Sequence, residues 1–269
     1  MPQFPSRTSV RSVSLLFGML AGGRRMDSTH MPVRNYVPAK PDGPFPYSTA
    51  DLTPMDAGND AGFYGPARFV THIDDNAIVN LRGYYDQVLP RKGRILDFCS
   101  SWISHYPPEI EQAAALGEVE VIGTGMNKAE LSKNSMLKHW SVQDLNEDPE
   151  VRLPGPVEGG LDAATCVVSI DYLTRPVEVL QSIRKQTNKG GKVHLIISNR
   201  CFPTKAVGRW LKVDEDDRLD MVGDYLWWSG WRNIEIQTLV AGSFMRDPLW
   251  VVRAQNEETE TDQDKAQTQ

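Results

Sequence analysis

The central part of the chain alternates short apolar runs with stretches in which apolar residues recur at helical spacing. Buried strands produce the first pattern and amphipathic helices produce the second. The helical spacing predicts helices over residues 77–89, 108–116, 128–137 and 177–186. The apolar runs predict strands over residues 94–98, 119–123, 140–143, 163–170, 192–198, 234–240 and 249–253.

The order of these segments predicts the fold class. Strands that alternate with helices form βαβ units, whose strands lie parallel and whose helices cover both faces of the sheet. Only a short loop separates the last two strands, which favours an antiparallel hairpin. We therefore expect an α/β, Rossmann-like, seven-stranded and mainly parallel sheet with a terminal antiparallel hairpin, and ligand sites at the carboxyl ends of its strands.

The two ends of the chain differ in composition from its centre. Residues 30–62 are rich in Pro, Gly and Asp without periodicity, which predicts an irregular arm. Residues 254–269 are polar and acidic, which predicts a disordered tail. The chain therefore divides into an N-terminal extension over residues 1–62, a folded domain over residues 63–253 and a tail over residues 254–269.

The first 26 residues contain several Arg and Ser and no Asp or Glu. This composition is typical of mitochondrial and plastid import leaders. One alternative is an unstructured extension. The other is a start codon placed too early, since Met26 and Met31 both qualify as starts. We expect a cytoplasmic protein, or a mitochondrial or plastid one if these residues are a leader.

Composition also narrows the classes of partner. The net charge of −6 and the pI of about 5.4 argue against a general nucleic-acid surface, which would be basic. No apolar run approaches the ~18 residues that span a bilayer, so no membrane insertion is expected. Cys99, Cys166 and Cys201 are widely spaced without a CxxC pair, which excludes a disulfide framework and predicts no metal site. A small-molecule substrate is the expected partner.

Several segments of the chain carry a family resemblance. The first strand ends at Asp97, a Gly190-Gly191 turn precedes the fifth strand, and two strands close the sheet. This order resembles the class I S-adenosylmethionine-dependent methyltransferases, whose seven-stranded sheets bind S-adenosylmethionine across strands one to four. The segments FYGPARFVTHIDD (63–75), LDFCSSWISHYP (96–107) and IGTGMN (122–127) resemble one branch of that superfamily.

The resemblance implies where the methionine part of the cofactor would bind. It places Asp97 and the following turn, Cys99, Ser100 and Ser101, beside that part of the ligand. Small side chains there let backbone amides approach the cofactor, which is usually the role of glycine. The sequence departs from the superfamily at this turn, because it lacks the Gly-rich motif. The alternative is that Asp97 caps a helix and the turn binds nothing.

A second departure lies at the end of the second strand. The superfamily usually has an acidic residue there, which accepts hydrogen bonds from the ribose, whereas this chain has Gly125 followed by Met126 and Asn127. The Asn127 carbonyl is the candidate substitute, and Met126 is a candidate to pack on the adenine. An N-cap role for Asn127 and a core role for Met126 remain as alternatives.

Two further loops complete the implied site. The resemblance places Asp144 and Leu145, after the third strand, against the polar edge and the flat face of the adenine. It places Ser169 and Asp171, after the fourth strand, near the reacting methyl group, with Asp171 as the candidate general base. Either aspartate is equally explained as a helix cap.

The segment before the first strand is a candidate lid over the cofactor. In it Phe63 and Tyr64 are candidates for stacking, and Arg68 is a candidate to pair with the cofactor's carboxylate. His72 and Asp74 have no further ligands in sight and predict no metal site. His105 is expected either at the same cleft or hydrogen-bonded within its loop. Residues 214–217 (DEDD) are expected to form a solvated turn.

The resemblance implies an S-adenosylmethionine-dependent methyltransferase that acts on a small molecule. The sulfonium is already a strong electrophile, so catalysis needs mainly proximity and alignment. A non-catalytic binding or scaffold protein of the same fold is the alternative, because the Gly-rich turn and the ribose carboxylate are both absent. A nicotinamide oxidoreductase is disfavoured, because no GxGxxG motif follows any strand.

Overall fold

The predicted strands lie side by side in one sheet, to which the chain adds one more strand. The structure is a computed structural model that describes residues 32–156, 159–243 and 246–257. Within these residues the strands are β1 (Val33–Asn35), β2 (Gly93–Phe98), β3 (Val119–Gly125), β4 (His139–Val142), β5 (Leu161–Val167), β6 (Thr187–Ser198), β7 (Arg232–Val240) and β8 (Leu249–Gln255). Their order across the sheet is β1-β7-β8-β6-β5-β2-β3-β4.

The central strands of the sheet are parallel and one edge is antiparallel. Strands β4, β3, β2, β5 and β6 are parallel to one another. Strand β8 is antiparallel to both β6 and β7, so the predicted terminal hairpin is present with its second strand inserted beside β6. Strand β1 pairs antiparallel with β7 and falls in the stretch predicted to be irregular. The predicted fold class is confirmed, with β1 as an additional edge strand.

Helices cover both faces of this sheet, as predicted. Side chains of β2 alternate between two cores: Ile95 packs in the one that contains α3 and α4, and Leu96 and Phe98 pack in the one that contains α6 and α7. The helix bounds are α1 (Thr49–Leu52), α2 (Asp60–Tyr64), α3 (Asp75–Val88), α4 (Pro108–Ala115), α5 (Lys128–Leu131), α6 (Pro176–Lys185) and α7 (Glu215–Trp228).

Two helices differ from the sequence prediction. Helix α5 is far shorter than the predicted 128–137 and ends at Leu131. The expectation of a solvated turn over residues 214–217 was wrong, because Asp214 caps the 14-residue helix α7 by accepting a hydrogen bond from the Asp217 N–H. The acidic residues of its first turn interact favourably with the amino end of the helix.

The described residues cover only part of the two predicted terminal segments. Strand β8 continues to Gln255, two residues past the predicted boundary of the domain at 253. The predicted import leader over residues 1–26 lies outside the described residues, as do residues 258–269 of the predicted tail.

The arm that precedes the domain is fastened to it by buried polar contacts. The hydroxyl groups of Tyr36 and Tyr47 each donate a 2.6 Å hydrogen bond to the carboxylate of Asp224 on α7. The Lys205 ammonium, 2% exposed, lies 3.0 Å from the Asp56 carboxylate and 2.9 Å from that of Asp60. These contacts fix the segment that leads into the candidate lid.

We expect Asp224→Ala to lower the free energy of unfolding by about 2–3 kcal/mol, because it leaves two tyrosine hydroxyls without their acceptor. Urea denaturation measures this, and limited proteolysis should show faster cleavage within residues 37–46. Asp216→Ala, in the exposed first turn of the same helix, is the control and should cost less than about 1 kcal/mol, the scale of its interaction with the helix amino end. Equal effects of the two variants would contradict a docking role for Asp224.

Candidate functional site

A cavity of about 360 Å³ opens at the carboxyl ends of the parallel strands. This volume lies within the range of small-molecule sites, and the carboxyl edge is where open α/β sheets bind ligands. The residues that line the cavity are Asp60, Tyr64, Arg68, Val70, Thr71, His72, Asp97, Cys99, Ser100, Ser101, Ile103, His105, Gly125, Met126, Asn127, Glu130, Gln143, Asp144, Leu145, Asn146, Val167, Val168, Ser169, Tyr172, Leu173, Arg200, Cys201 and Phe202.

The buried carboxylate of Asp97 binds the turn that follows β2 through two hydrogen bonds. The hydroxyl groups of Ser100 and Ser104 donate to Oδ2 of Asp97, at 2.7 and 2.6 Å. The side-chain amide of Asn134 donates to the Ser101 carbonyl and to the Ser104 hydroxyl, at 3.0 and 2.9 Å. The turn therefore has a fixed shape without glycine.

Burial sets the ionisation of this carboxylate. Loss of hydration raises the pKa of Asp97 to about 6, against the opposing effect of the hydrogen bonds from Ser104 and Ser100. A group with this pKa changes its protonation state close to neutral pH. Asp97 lines the cavity and can accept a hydrogen bond from a bound cation when it is ionised.

Gly125, at the end of β3, occupies a position where no side chain fits. A Cβ atom there would lie 2.1 Å from the carbonyl oxygen of Ser100. The close approach is fixed by the backbone bond from the Ser100 N–H to the Thr124 carbonyl, at 2.8 Å. The absence of an acidic residue at this position therefore has a steric cause.

Asn127 lines the cavity, but its side chain is fully engaged. Its oxygen accepts hydrogen bonds from the backbone N–H groups of Ala129 and Glu130, which caps α5. Its amide donates to the carbonyls of Tyr64 and Gly65, both at 2.8 Å. The side-chain carbonyl predicted as a ribose acceptor has no free capacity in this arrangement, so the cap role is the one that the structure supports.

The predicted lid lies against the turn through Glu130, a residue that the sequence analysis did not select. One oxygen of its carboxylate accepts a bond from the Arg68 backbone N–H at 2.7 Å, and the other accepts one from the Ser101 hydroxyl at 2.6 Å. The Arg68 guanidinium lies 4.6 Å from the centre of the Phe63 ring and donates to the Phe63 carbonyl at 2.9 Å. Glu130 lies in the first turn of the short helix α5, where an acidic residue is explained by the helix itself, so the sequence gave no signal for a contact with the lid.

The loop after β4 brings Asp144 and Leu145 to the cavity as predicted. One oxygen of the Asp144 carboxylate accepts bonds from the backbone N–H groups of Asn146 and Glu147, at 2.9 and 3.4 Å. This is the local turn that was the alternative explanation of Asp144. Its other oxygen accepts no hydrogen bond within the described part of the chain, so the local turn leaves an acceptor at the cavity.

Tyr64, Cys99, Ser100, Ser101, Met126 and Ser169 also line the cavity, whereas Phe63 and Asp171 do not. The Phe63 ring instead packs against the Arg68 guanidinium. Asp171 is 3% exposed in the turn Ile170–Tyr172, and burial raises the pKa of its carboxyl to about 8. Its position away from the cavity does not support the role of general base that was predicted for it.

Backbone strain is concentrated at this cavity. Among the described residues, five that are not glycine have positive φ, and His72 (63°), Cys99 (53°), His105 (55°) and Val168 (42°) line the cavity. A β-branched residue such as Val168 is a clear outlier in this region. Strained residues persist where the surrounding structure over-determines them, and they cluster at ligand sites.

His105 lies at the cleft, the first of the two positions expected for it. It is 4% exposed, and burial lowers the pKa of its imidazole to about 4, so the ring is neutral at physiological pH. The described residues contain no group of three or more His, Cys, Asp or Glu placed to hold a metal ion. None of the described helices is long and apolar enough to cross a membrane.

Comparison with known proteins identifies relatives in structure but not in sequence. No family model and no curated protein matches the chain. Methyltransferases are among the solved structures similar to it. They include the CurJ carbon methyltransferase (16% identity, TM-score 0.42, 68% of this chain and 54% of that one) and an S-adenosylmethionine-dependent methyltransferase from Mesorhizobium loti (15%, 0.44, 64% and 95%).

A third similar structure is phosphoethanolamine N-methyltransferase 2 of Haemonchus contortus in complex with S-adenosyl-L-methionine (12%, 0.44, 67% and 52%). This chain thus spans about half the length of two of the three proteins, 54% and 52%.

The contact between Gly125 and Ser100 can be tested directly. We expect Gly125→Ala to lower the free energy of unfolding by about 1–3 kcal/mol, because the added methyl group displaces the turn after β2. Gly83→Ala is the matched control: its Cβ would meet nothing within 4 Å on a helix, so it should raise stability by up to about 1 kcal/mol. Thermal and urea unfolding measure both, and a neutral Gly125→Ala would disprove the contact.

Proposed function

We propose that this chain is an S-adenosylmethionine-dependent methyltransferase whose substrate is a small molecule. The observation that carries the proposal is the cavity at the carboxyl ends of β2 to β5. It contains the buried carboxylate of Asp97, the carboxylate of Asp144 with one oxygen that accepts no hydrogen bond within the described residues, and strained backbone around both. Its groups suit the separate parts of S-adenosylmethionine.

The methionine part fits between the turn after β2 and the lid. Asp97, once ionised, is an acceptor for the ammonium group. The Arg68 guanidinium uses Nη2 for the Phe63 carbonyl and has no ion pair within the described residues, which leaves the rest of its planar fork for the carboxylate. These roles keep the assignments that the family resemblance implied for Asp97 and Arg68.

The nucleoside part fits beside β3 and β4. The free oxygen of Asp144 is an acceptor for the adenine amino group, and the neighbouring Leu145 offers an apolar face. Since Gly125 has no room for a side chain and the Asn127 amide is engaged, Glu130 is the carboxylate left near the ribose position. Ribose hydroxyls would share the Glu130 oxygens that now bind Arg68 and Ser101.

When bound, the cofactor supplies an activated methyl group on a positively charged sulfur. This chain's own contribution is to bind and orient the two reactants and to exclude water from them. Val168 and Ser169, at the end of β5, border the part of the cavity left for the acceptor. The proposal needs no general base, so the buried position of Asp171 is compatible with it.

Calorimetric titration with S-adenosylhomocysteine is the test of this proposal. We expect binding, and a stabilisation of about 2.7 kcal/mol at a ligand concentration of about 100 times Kd, seen as a higher Tm. Asp144→Ala should weaken binding by about 1–3 kcal/mol, the scale of a lost hydrogen bond to a charged group. NADH serves as the control ligand and should leave Tm unchanged. No binding of S-adenosylhomocysteine would favour the non-catalytic alternative.

The pKa of Asp97 predicts how affinity depends on pH. The ligand's ammonium binds the ionised carboxylate, so below a pH of about 6 binding must first remove a proton. Affinity for S-adenosylhomocysteine should therefore fall by up to about tenfold per pH unit as the pH drops below about 6, and level off above it. Asp97→Asn should bind weakly at every pH and lose this dependence. A parent protein whose affinity is flat between about pH 5 and 7.5 would contradict the role of Asp97.

A further inference from the structure

The charged side chains that line the cavity are distributed unevenly. Three carboxylates lie on the side of β2 to β4: Asp97 lies near the end of β2, and Glu130 and Asp144 follow β3 and β4. Asp60 lies between the two sides, since its carboxylate accepts a bond from Asn146 after β4 and pairs with Lys205 after β6. The lining residues contributed after β5 and β6 include one charged side chain, Arg200.

In the sheet order β6-β5-β2-β3-β4, Arg200 follows the strand at one end, whereas the groups assigned to the nucleoside follow β3 and β4 at the other. On the proposed function, the carboxylate-rich end takes the cofactor, and the end beside β5 and β6 takes the methyl acceptor. The charge at that end therefore bears on the chemistry of the acceptor.

Arg200 is held in one orientation by a carboxylate behind it. Its Nε donates a 2.8 Å hydrogen bond to Oδ1 of Asp247, whose side chain is 8% exposed, whereas the side chain of Arg200 is 62% exposed. The second oxygen of Asp247 accepts a bond from the Asp74 N–H, and Asp74 in turn accepts bonds from the N–H groups of Asp247 and Ala77. All four carboxylate oxygens of Asp74 and Asp247 therefore accept hydrogen bonds.

The contact to Asp247 leaves one edge of the guanidinium available. The two terminal nitrogens, Nη1 and Nη2, make no hydrogen bond within the described part of the chain. They form a planar fork with two parallel N–H groups, which matches the two oxygens of a carboxylate. Because Asp247 fixes Nε, little side-chain freedom is lost when the fork binds an anion.

The walls around this end are apolar. Val167 and Val168 line the cavity from the end of β5, Leu173 lines it from the loop that follows, and Phe202 follows Arg200 by two residues. A ligand that fits both features has an acidic group for the arginine and a compact carbon skeleton for the walls.

We infer that this end of the cavity is an acid-binding subsite, and that the methyl acceptor is a small, apolar carboxylic acid whose carboxylate binds the free edge of Arg200. The inference names the substrate class of the proposed function and rests on it. The binding of the acid itself can be measured without any methyl transfer.

The test compares benzoate with benzamide, which has the same shape and no charge. Ligand-observed NMR and calorimetry are carried out on the full chain, with and without S-adenosylhomocysteine. We expect benzoate to bind at least about tenfold more tightly than benzamide, and Arg200→Ala to abolish this preference. Arg200→Lys should restore only part of it, since lysine lacks the fork.

Arg34→Ala is the matched control, because Arg34 is also exposed, is paired with an aspartate and does not line the cavity. It should keep the preference for benzoate, and both variants should bind S-adenosylhomocysteine as the parent does. The inference is overturned if benzoate fails to bind up to its solubility, if benzamide binds equally well, or if Arg200→Ala keeps the preference. If benzoate binds with the expected preference and S-adenosylhomocysteine does not bind, the result contradicts the proposed function and leaves the acid-binding subsite in place.

Discussion

The site depends on a close approach between two backbone segments at the carboxyl edge of the sheet. The carbonyl of Ser100 lies where a side chain on Gly125 would be, so the turn after β2 rests directly on the end of β3. Asp97 supports this turn from below by accepting bonds from two of its serines. A Gly-rich turn is one way to bring backbone close to a ligand, and here a buried carboxylate with serine partners produces a turn of fixed shape in its place.

This arrangement has consequences for the segments around it. The turn binds Glu130 through Ser101, Glu130 binds the lid through the Arg68 N–H, and Asn127 binds the lid through the carbonyls of Tyr64 and Gly65. The lid is therefore part of one hydrogen-bonded unit with the loops after β2 and β3. Several residues along the cavity have positive φ values, which are unfavourable for residues other than glycine. The contacts of this unit hold the backbone in these conformations.

The charges of the cavity are sorted by the topology of the sheet. The order β6-β5-β2-β3-β4 places the loops that carry carboxylates at one end and the loop that carries Arg200 at the other. Neither side is marked in the sequence, because Asp144, after β4, and Arg200, after β6, are more than fifty residues apart in the chain. A cofactor with hydroxyl, amino and ammonium donors and an acceptor with an acidic group would each meet the complementary end.

The sequence by itself determined the elements and the class of fold. Apolar runs and helical spacing located each of the seven main strands to within a few residues, because burial on both faces of a sheet leaves a strong pattern. The strand pattern put Asp97, Asp144 and Ser169 at the carboxyl ends of parallel strands, which share one edge, and the family resemblance is what marked them as candidates for the cofactor site. Helix α7 was missed because its acidic first turn resembles a loop, although Asp214 is a good N-cap.

Only the tertiary structure decided what each of these side chains does. Whether Asn127 or Glu130 has an oxygen to offer, and whether Asp171 reaches the cavity, depends on contacts between segments far apart in the chain. The engagement of the Asn127 amide by the lid, the steric exclusion at Gly125 and the orientation of Arg200 by Asp247 all arise between such segments. Local pattern records burial and turn preference, whereas hydrogen-bond capacity and free volume are properties of the packed molecule, and these set the chemistry of the site.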